Sequence, residues 1–214
     1  MMTCCSNECF ESTFNDRHAK RQLKRYRKRG PNKTTRMLLD ALRAAGIRHA
    51  SLLDVGAGIG VVHHELLTEG ARSAIHVDAA RPHIRVAEEE ATRRGHAAQV
   101  TFVLGDFVGL AESIATADVV TLDRVICCYP DMEQLVAKSA AKASRLYGAV
   151  FPRERRALKA VLSLQNFLWK VLGNPFRSYI HSTAAIDATL RRQGLAPLSV
   201  TDTALWRVAV YSRG

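Results

Sequence analysis

The sequence lacks the features that mark secreted and membrane-embedded chains. Its first ten residues hold three cysteines and no basic start followed by an apolar stretch, so we expect no secretory signal. Its most apolar long stretch, ALKAVLSLQNFLWKVLG, is interrupted by Lys159, Gln165, Asn166 and Lys170 and falls short of the roughly 20 residues that a membrane span requires. The sequence therefore predicts a cytoplasmic protein without a transmembrane segment.

Cysteine is sparse, and the five present form no metal-binding pattern. Cys4, Cys5 and Cys9 have no nearby partner pair, so reduced thiols are favoured over a zinc site. Cys127 and Cys128 follow an apolar strand, where they could pack as small hydrophobes or line a binding site. We also find no Ser-His-Asp triad and no metal-carboxylate cluster, and we predict no metal site.

One segment has no acidic residue at all. Residues 17–36 hold ten Lys or Arg, which accounts for nearly all of the net charge of +11. The charge therefore belongs to a basic, Cys-containing N-terminal arm or lid, residues 1–34, ahead of a domain at residues 35–214. This run could be a solvated helix or arm without a binding role. It could instead bind phosphates, anionic lipid headgroups or an acidic substrate.

The rest of the chain alternates between short apolar strands and amphipathic helices. Apolar runs such as SLLDV, SAIHVD and ADVVTLD are separated by helical segments of about 10 to 15 residues, which is typical of a parallel sheet covered on both faces. Two strands that meet around TDT end the chain as a hairpin. We predict an α/β fold, with a single doubly wound, mostly parallel seven-stranded sheet, helices on both faces and an antiparallel last strand.

A long helix departs from this alternation. Residues 155–172, within a helical insertion at about 153–180, have apolar side chains on more than one face. One face fits the core. The other could be covered by an apolar acceptor molecule, a partner subunit in a homodimer, or a membrane surface reached with the flanking basic residues. Plain core packing of the whole helix stays open beside these alternatives.

The first strand ends in a turn with glycine on alternate positions, in the run LLDVGAGIG. Gly56, Gly58 and Gly60 let the backbone approach a ligand closely, at the sheet edge where open α/β folds bind ligands. A dinucleotide fingerprint, G-x-G-x-x-G, needs its third glycine where Val61 stands, and Asp54 would repel a pyrophosphate. The turn therefore suits a ligand that lacks phosphate and carries a positive group.

This run resembles the first motif, [DE]-x-G-x-G-x-G, of the class I methyltransferases that use S-adenosylmethionine. In chain order, IHVD resembles the strand whose acid binds the ribose, LGDF the turn that flanks adenine, and ADVVTLDRV the strand that lines the methyl-transfer site. The resemblance covers roughly residues 35–212 and implies a Rossmann-like fold with S-adenosyl-L-methionine as cofactor. The donor-binding positions that it implies are Asp54, Gly56, Ala57, Gly58, Asp78, Ala79, Gly105, Asp106, Phe107, Asp123 and Arg124.

The acceptor is predicted from the run DRVICCYPD after the fourth strand. Enzymes that methylate planar amino groups typically carry Asn/Asp-Pro-Pro-aromatic there, so its absence argues against methylation of exocyclic amines. The run and the tail are similar to quinone and magnesium-porphyrin methyltransferases, which implies a small, apolar or aromatic acceptor. Two alternatives stay open: an RNA methyltransferase that uses the basic arm, and a regulatory subunit that binds the donor without catalysis.

The catalytic groups follow from the donor's chemistry. A sulfonium is an activated methyl donor, so catalysis can rest on alignment and, where the acceptor requires it, removal of a proton. The candidate bases are Tyr129, His181 and Tyr26. We expect at least one of His63 and His64, just after the glycine turn, to face solvent.

The N-terminal arm is expected to close over the donor. Tyr26, Gly30, Lys33 and Thr34 are the residues that we predict to cap the site, with Lys33 or a neighbouring Arg near the methionyl carboxylate.

Overall fold

Helices and strands alternate along residues 13–214, the part of the chain that this computed structural model describes. The helices are α1 (Asp16–Arg29), α2 (Lys33–Ala44), α3 (Val61–Thr68), α4 (Arg81–Arg94), α5 (Phe107–Leu110), α6 (Met132–Ala141), α7 (Arg156–Val171) and α8 (Thr183–Arg192). The strands are β1 (Ser51–Val55), β2 (Ser73–Asp78), β3 (Val100–Leu104), β4 (Ala117–Asp123), β5 (Ala143–Pro152), β6 (Leu195–Asp202) and β7 (Trp206–Arg213). The interpretation of Cys4, Cys5 and Cys9 lies outside the described residues.

The seven strands form one sheet in the order β3-β2-β1-β4-β5-β7-β6. Strands β1 to β5 pair in parallel, whereas β7 runs antiparallel to both β5 and β6. β1 lies between β2 and β4, and the strand order reverses there. This confirms the predicted α/β fold, with its mostly parallel seven-stranded sheet and antiparallel last strand, and it puts a ligand-binding crevice at the carboxyl end of β1.

Alternate side chains of the strands bury two apolar layers, one on each face of the sheet. Leu53 and its neighbours pack in one layer with buried residues of α6 and α8. Leu52 belongs to the opposite layer, with α2 and α3. Burial of each Leu side chain stabilises the fold by roughly 1.5–3 kcal/mol. The two layers therefore hold helices against both faces of the sheet, as predicted.

The basic run forms α1, which packs on the outside of the domain. Its inner side buries Ala19, Leu23 and Tyr26 in a small apolar cluster with Ile59 and Val86. Its outer side is lined by exposed Lys and Arg side chains. The run is therefore a helix with an apolar inner side and a cationic outer side.

The long helix after β5 is α7, and it has no fully buried residue. Leu158, Leu162 and Trp169 are half-buried on its inner side, whereas large apolar side chains on its outer side are exposed. The alternative that the whole helix packs in the core is therefore wrong. No helix within residues 13–214 combines the length and the apolar character that crossing a bilayer requires.

Candidate active site

A cavity of about 280 Å³ opens at the carboxyl edge of the sheet, where the strand order reverses. Because the carboxyl ends of parallel strands meet at one edge, the turns after β1, β2, β3 and β4 converge on it. Every donor-binding position implied by the sequence resemblance lines this cavity: Asp54, Gly56, Ala57, Gly58, Asp78, Ala79, Gly105, Asp106, Phe107, Asp123 and Arg124.

The glycine turn forms the floor of the cavity and requires glycine for two different reasons. Gly56 has φ of +61°, and a Cβ there would lie 2.6 Å from Cγ2 of Val125, so no side chain fits. Gly58 has φ of +57°, and a Cβ there would meet nothing closer than the His83 ring nitrogen at 4.0 Å. The space above Gly58 is therefore open to a ligand.

Asp78 ends β2 and holds the glycine turn in place. Its Oδ2 accepts a hydrogen bond from the Gly58 N–H at 2.7 Å, and its Oδ1 accepts one from the Ala80 N–H at 2.8 Å. Each carboxylate oxygen has a further lone pair, so Asp78 can still accept hydrogen bonds from the hydroxyls of a sugar. The residue types present therefore fit a nucleoside ligand.

His83, in the first turn of α4, is a cavity residue that the sequence reading missed. The side chain is buried, and its Nδ1 lies 3.4 Å from Oδ2 of Asp78. Neither ring nitrogen has a hydrogen-bond partner among the described residues. Because a buried polar group without a partner is costly, a polar ligand in the cavity would satisfy it. The one feature of the sequence that could have identified His83 as a cavity residue is its position, five residues after Asp78.

Asp54 lies at the end of β1 and joins a buried polar network beneath the turn. Its Oδ1 accepts a hydrogen bond from the Thr121 hydroxyl at 2.7 Å, and its Oδ2 lies 3.0 Å from Nδ1 of His63. The prediction that His63 or His64 faces solvent is wrong, since both are fully buried. Burial and the neighbouring His63 lower the pKa of His64 to about 2.

Asp106 and Tyr129 meet on the side of the cavity that follows β3. Asp106 caps α5 by accepting the Val108 N–H at 3.1 Å, and its other oxygen accepts the Tyr129 hydroxyl at 2.9 Å. Tyr129 lines the cavity, as a residue that contacts an acceptor must. It is thus the one of the three candidate bases that the structure brings together with the donor positions.

The other two candidate bases lie outside the cavity lining. Nε2 of His181 donates to the carbonyl oxygen of Tyr129 at 2.9 Å, and burial lowers the pKa of His181 against a smaller opposing effect of its backbone hydrogen bonds. The Tyr26 hydroxyl donates to Glu65 on α3. Burial and that carboxylate raise the pKa of Tyr26 far above its ordinary value. Tyr26 therefore fastens α1 to the domain.

The end of β4 is held from two directions. The Thr35 hydroxyl, on α2, donates to Asp123 Oδ2, and Nε of Arg124 lies 3.2 Å from Asp123 Oδ1. Arg124 has φ of +62°, a left-handed conformation that costs energy in a residue with a side chain. The contact from Thr35 has no sequence signal, because it depends on how α2 packs across the sheet.

The N-terminal segment reaches the cavity through residues other than those predicted. Phe14 and Gln22 are among the lining residues, whereas Tyr26, Gly30, Lys33 and Thr34 are not. Phe14 packs edge-to-face on Phe176, in the segment after α7, with ring centroids 5.5 Å apart. Two distant parts of the chain therefore meet at this side of the cavity.

One wall of the cavity is apolar, although the donor positions around it are polar. Its lining includes five apolar or aromatic residues, Phe14, Val125, Cys128, Tyr129 and Leu135, which we call the apolar wall. Cys128 thus lines the cavity, and Cys127 is buried beside it, with 3.8 Å between the two sulfur atoms. An apolar or aromatic molecule fits this wall better than a charged one does.

Comparison of the sequence with known families finds one relevant match. Residues 52–145 match the family model described as a methyltransferase domain. This stretch runs from β1 into β5 and contains the four strand ends that surround the cavity. No curated protein matches the sequence.

Solved structures share the fold at low sequence identity. Magnesium protoporphyrin IX methyltransferase from Synechocystis PCC 6803, with bound SAH, superposes with a TM-score of 0.73 at 20% identity, over 97% of this chain and 99% of that one. An O-methyltransferase family protein from Burkholderia thailandensis has a TM-score of 0.67 at 17% identity, over 84% and 56%. The [4+2]-cyclase SpnF has a TM-score of 0.65 at 13% identity, over 84% and 80%. The predicted resemblance is confirmed, and the cyclase illustrates that the fold alone does not fix the reaction.

Proposed function

We propose that the protein transfers a methyl group from S-adenosylmethionine to a small, apolar or aromatic acceptor, because residues 52–145 match a methyltransferase domain model and the chain shares the fold of methyltransferases of known structure. The observation that carries the proposal is the convergence of all the implied donor positions on one cavity. Relatives in fold have been crystallised with SAM or SAH, which supports the same cofactor here.

The donor side of the proposal assigns roles to residues already located. Asp78 accepts hydrogen bonds from the ribose hydroxyls through its remaining lone pairs, while it keeps the Gly58 N–H in place. Gly56 and Gly58 let the methionyl part lie close to the backbone. Asp106 and Phe107 flank the adenine. The bound donor supplies an activated methyl group, so the chain's own residues need only position, shield and deprotonate the acceptor.

The acceptor side rests on the apolar wall. A planar apolar acceptor would lie against Phe14, Val125 and Leu135, and water would be excluded from the reacting atoms. This wall and the absence of the Asn/Asp-Pro-Pro-aromatic run both favour a small molecule over a nucleic-acid base. A regulatory subunit without catalysis would have no use for a wall of this kind beside the donor positions.

Tyr129 is proposed as the residue that handles the acceptor's proton. Its phenolic oxygen can accept a hydrogen bond from an acceptor hydroxyl, while its own proton points to Asp106 Oδ2 at 2.9 Å. A bound donor would supply the methyl group, with its sulfur keeping the electron pair of the broken carbon–sulfur bond. The proton of the acceptor hydroxyl would then move to Tyr129, and the Tyr129 proton to Asp106. The Tyr129–Asp106 pair would therefore act as a short proton relay.

A turnover assay tests the proposal. The full chain is incubated with radiolabelled S-adenosylmethionine and, separately, with a panel of aromatic and apolar phenols and carboxylic acids or with RNA. We expect label in a small apolar acceptor and none in RNA. Donor binding without transfer to any acceptor would instead indicate the regulatory subunit, and label in RNA would overturn the acceptor class.

The Tyr129→Phe variant examines the relay in the same assay. Loss of the hydroxyl is expected to lower kcat by about a hundredfold while the donor Kd changes little, because general acid-base groups typically contribute that much. Tyr179→Phe is the matched control, since Tyr179 is a nearby tyrosine outside the cavity lining. Equal kcat for the two variants would remove Tyr129 from the mechanism.

A further inference from the structure

The outer side of α7 is an exposed apolar face. The described part of the chain exposes nine large apolar side chains, and six of them belong to α7 or directly follow it, with 51–79% of their surface accessible: Val161, Leu164, Phe167, Leu168, Val171 and Leu172. The spacing of 161, 164, 168 and 171 puts four of these side chains on one stripe of the helix. Contiguous exposed apolar surface of this kind marks an interaction site.

One border of this face is cationic. α7 contains no acidic residue; Arg156 and Lys170 are exposed on the same side of the apolar stripe, and Lys159 and the preceding Arg155 are exposed farther round the helix. Glu154 partly offsets this charge by pairing with Lys159 at 2.7 Å. For Arg156 and Lys170, no ion pair is found within residues 13–214. An apolar stripe bordered by Lys and Arg is the pattern of helices that lie in the interface of a membrane.

A second cationic surface begins next to α7. Phe14, two residues before α1, packs on Phe176 in the segment after α7. The outer side of α1 then adds a row of exposed cations, for which no ion pair is found in the described chain: Arg17, Lys20, Arg21, Lys24, Arg25, Lys28 and Arg29. The cationic row of α1 thus begins close to the segment that follows α7.

We propose that the α7 face, defined by Val161, Leu164, Leu168 and Val171 with the flanking Arg155, Arg156 and Lys170, docks on the surface of an anionic phospholipid bilayer. The apolar side chains enter the boundary between headgroups and acyl chains, and the cations contact anionic headgroups. A second copy of the chain fits less well, because a symmetric contact would bring the two sets of cations together. RNA would use the cations and leave the apolar stripe uncovered.

The docked orientation would connect the membrane to the cavity, and this part of the inference rests on the proposed function. Trp169 on the inner side of α7 packs with Phe176, which in turn contacts Phe14 and Cys128 of the cavity wall. An apolar acceptor dissolved in the bilayer would then reach the apolar wall without crossing water. Docking itself depends only on the surface of α7, so it can be tested without turnover.

Vesicle sedimentation of the full chain tests docking. We expect binding to phosphatidylcholine vesicles that contain phosphatidylglycerol, little binding to phosphatidylcholine alone, and weaker binding as salt is raised. The double variant Leu164→Glu/Leu168→Glu is expected to lower partitioning by about tenfold or more, since it places charge in the apolar stripe. Its circular dichroism and Tm should match those of the wild type because both side chains are exposed.

A matched control separates this face from exposed apolar residues in general. Leu198→Glu/Val200→Glu changes two exposed side chains of β6, far along the chain from α7, and should leave vesicle binding unchanged. Equal binding to neutral and anionic vesicles, or no effect of the α7 variant, would overturn the proposal. A wild-type dimer in light scattering that the α7 variant converts to a monomer would assign the face to a second copy. Because no donor or acceptor is present, failure here is distinguishable from failure of methyl transfer.

Discussion

At the scale of single residues, backbone conformation shapes the edge of the cavity. Gly56 and Arg124 both have positive φ, and they lie on neighbouring turns after β1 and β4. Gly56 fits because it has no side chain, whereas Arg124 accepts the strained conformation and donates its N–H to the Val150 carbonyl oxygen at 2.9 Å. Strain of this kind persists where the surrounding structure enforces it, and it concentrates at functional sites.

Gly56→Ala is expected to destabilise the protein by about 1–3 kcal/mol, because the new Cβ would have positive φ and contact Val125. Thermal unfolding measures this as a lower Tm. The control is Gly109→Ala, where φ is not positive and a Cβ meets nothing within 4 Å. Equal Tm values for the two variants would show that the turn tolerates a side chain.

At the scale of elements, α1 is fastened to the domain by charge as well as by apolar contacts. Nη2 of Arg27 lies 2.8 Å from the buried carboxylate of Glu90, and the Arg94 guanidinium stacks 4.8 Å from the centre of the Tyr26 ring. Burial alone would raise the pKa of Glu90, but hydrogen bonds from Arg93, Arg94 and Arg27 outweigh it and hold that pKa well below its ordinary value. This attachment keeps Phe14 and Gln22 at the cavity.

Removal of residues 1–30 is therefore expected to weaken donor binding by about tenfold, through loss of part of the cavity wall and of water exclusion. The truncation keeps Asn32, which caps α2 by accepting the Thr34 and Thr35 N–H groups. Calorimetric titration with S-adenosylhomocysteine measures the change, and Lys20→Ala, an exposed cation of α1, is the control. An unchanged Kd in the truncated chain would end the assignment of a lid to this segment.

The sequence predicted elements and strand ends more completely than contacts between distant elements. The periodicity of the apolar residues, together with the turn residues, identified the strands, α7 and the closing hairpin. The order of the motifs along the chain identified the residues that line the cavity. The roles of Phe14, Gln22 and Thr35 depend on packing between distant segments, which a single sequence does not encode locally. The burial of both His63 and His64 was missed because short α3 buries more than one side: His63 packs against Asp54 and His76 of the sheet, and His64 packs against His96.

At the scale of the whole molecule, buried histidines make stability depend on pH. His63, His64 and His76 lie together beneath the glycine turn, with 4.4 Å between the first two rings and 5.1 Å between His63 and His76. Burial is the largest cause that lowers the pKa of His64 to about 2 and the pKa of His76 well below 6.5. Both rings therefore stay neutral in the folded state, while the unfolded chain binds protons near its ordinary pKa.

The sign of the dependence follows from that difference. Below about pH 6.5 the unfolded state binds more protons, so the free energy of unfolding falls by up to about 1.4 kcal/mol per pH unit for each such histidine. We expect Tm to be level above the ordinary histidine pKa and to fall steeply below it. Carboxylates with lowered pKa, such as Glu90, reduce stability only at more acidic pH, where they become protonated.

Thermal scans across this pH range test the expectation with two variants. His76→Phe should make the fall of Tm less steep, because one buried neutral ring is removed, whatever its effect on Tm itself. His49→Gln should leave the slope unchanged, since His49 is exposed. A Tm that stays level as the pH drops below the ordinary histidine pKa would contradict the role of the buried cluster.

The most direct test of the central claim is calorimetric titration of the full chain with S-adenosylhomocysteine, beside a nicotinamide dinucleotide. Binding of the nucleoside at one site per chain is expected, with at least about a tenfold loss in Asp78→Ala, because Asp78 accepts its sugar hydroxyls and holds the Gly58 turn. Glu89→Ala, an exposed carboxylate of α4, should bind as the wild type does. No heat with the nucleoside, together with saturable binding of the dinucleotide, would contradict the claim.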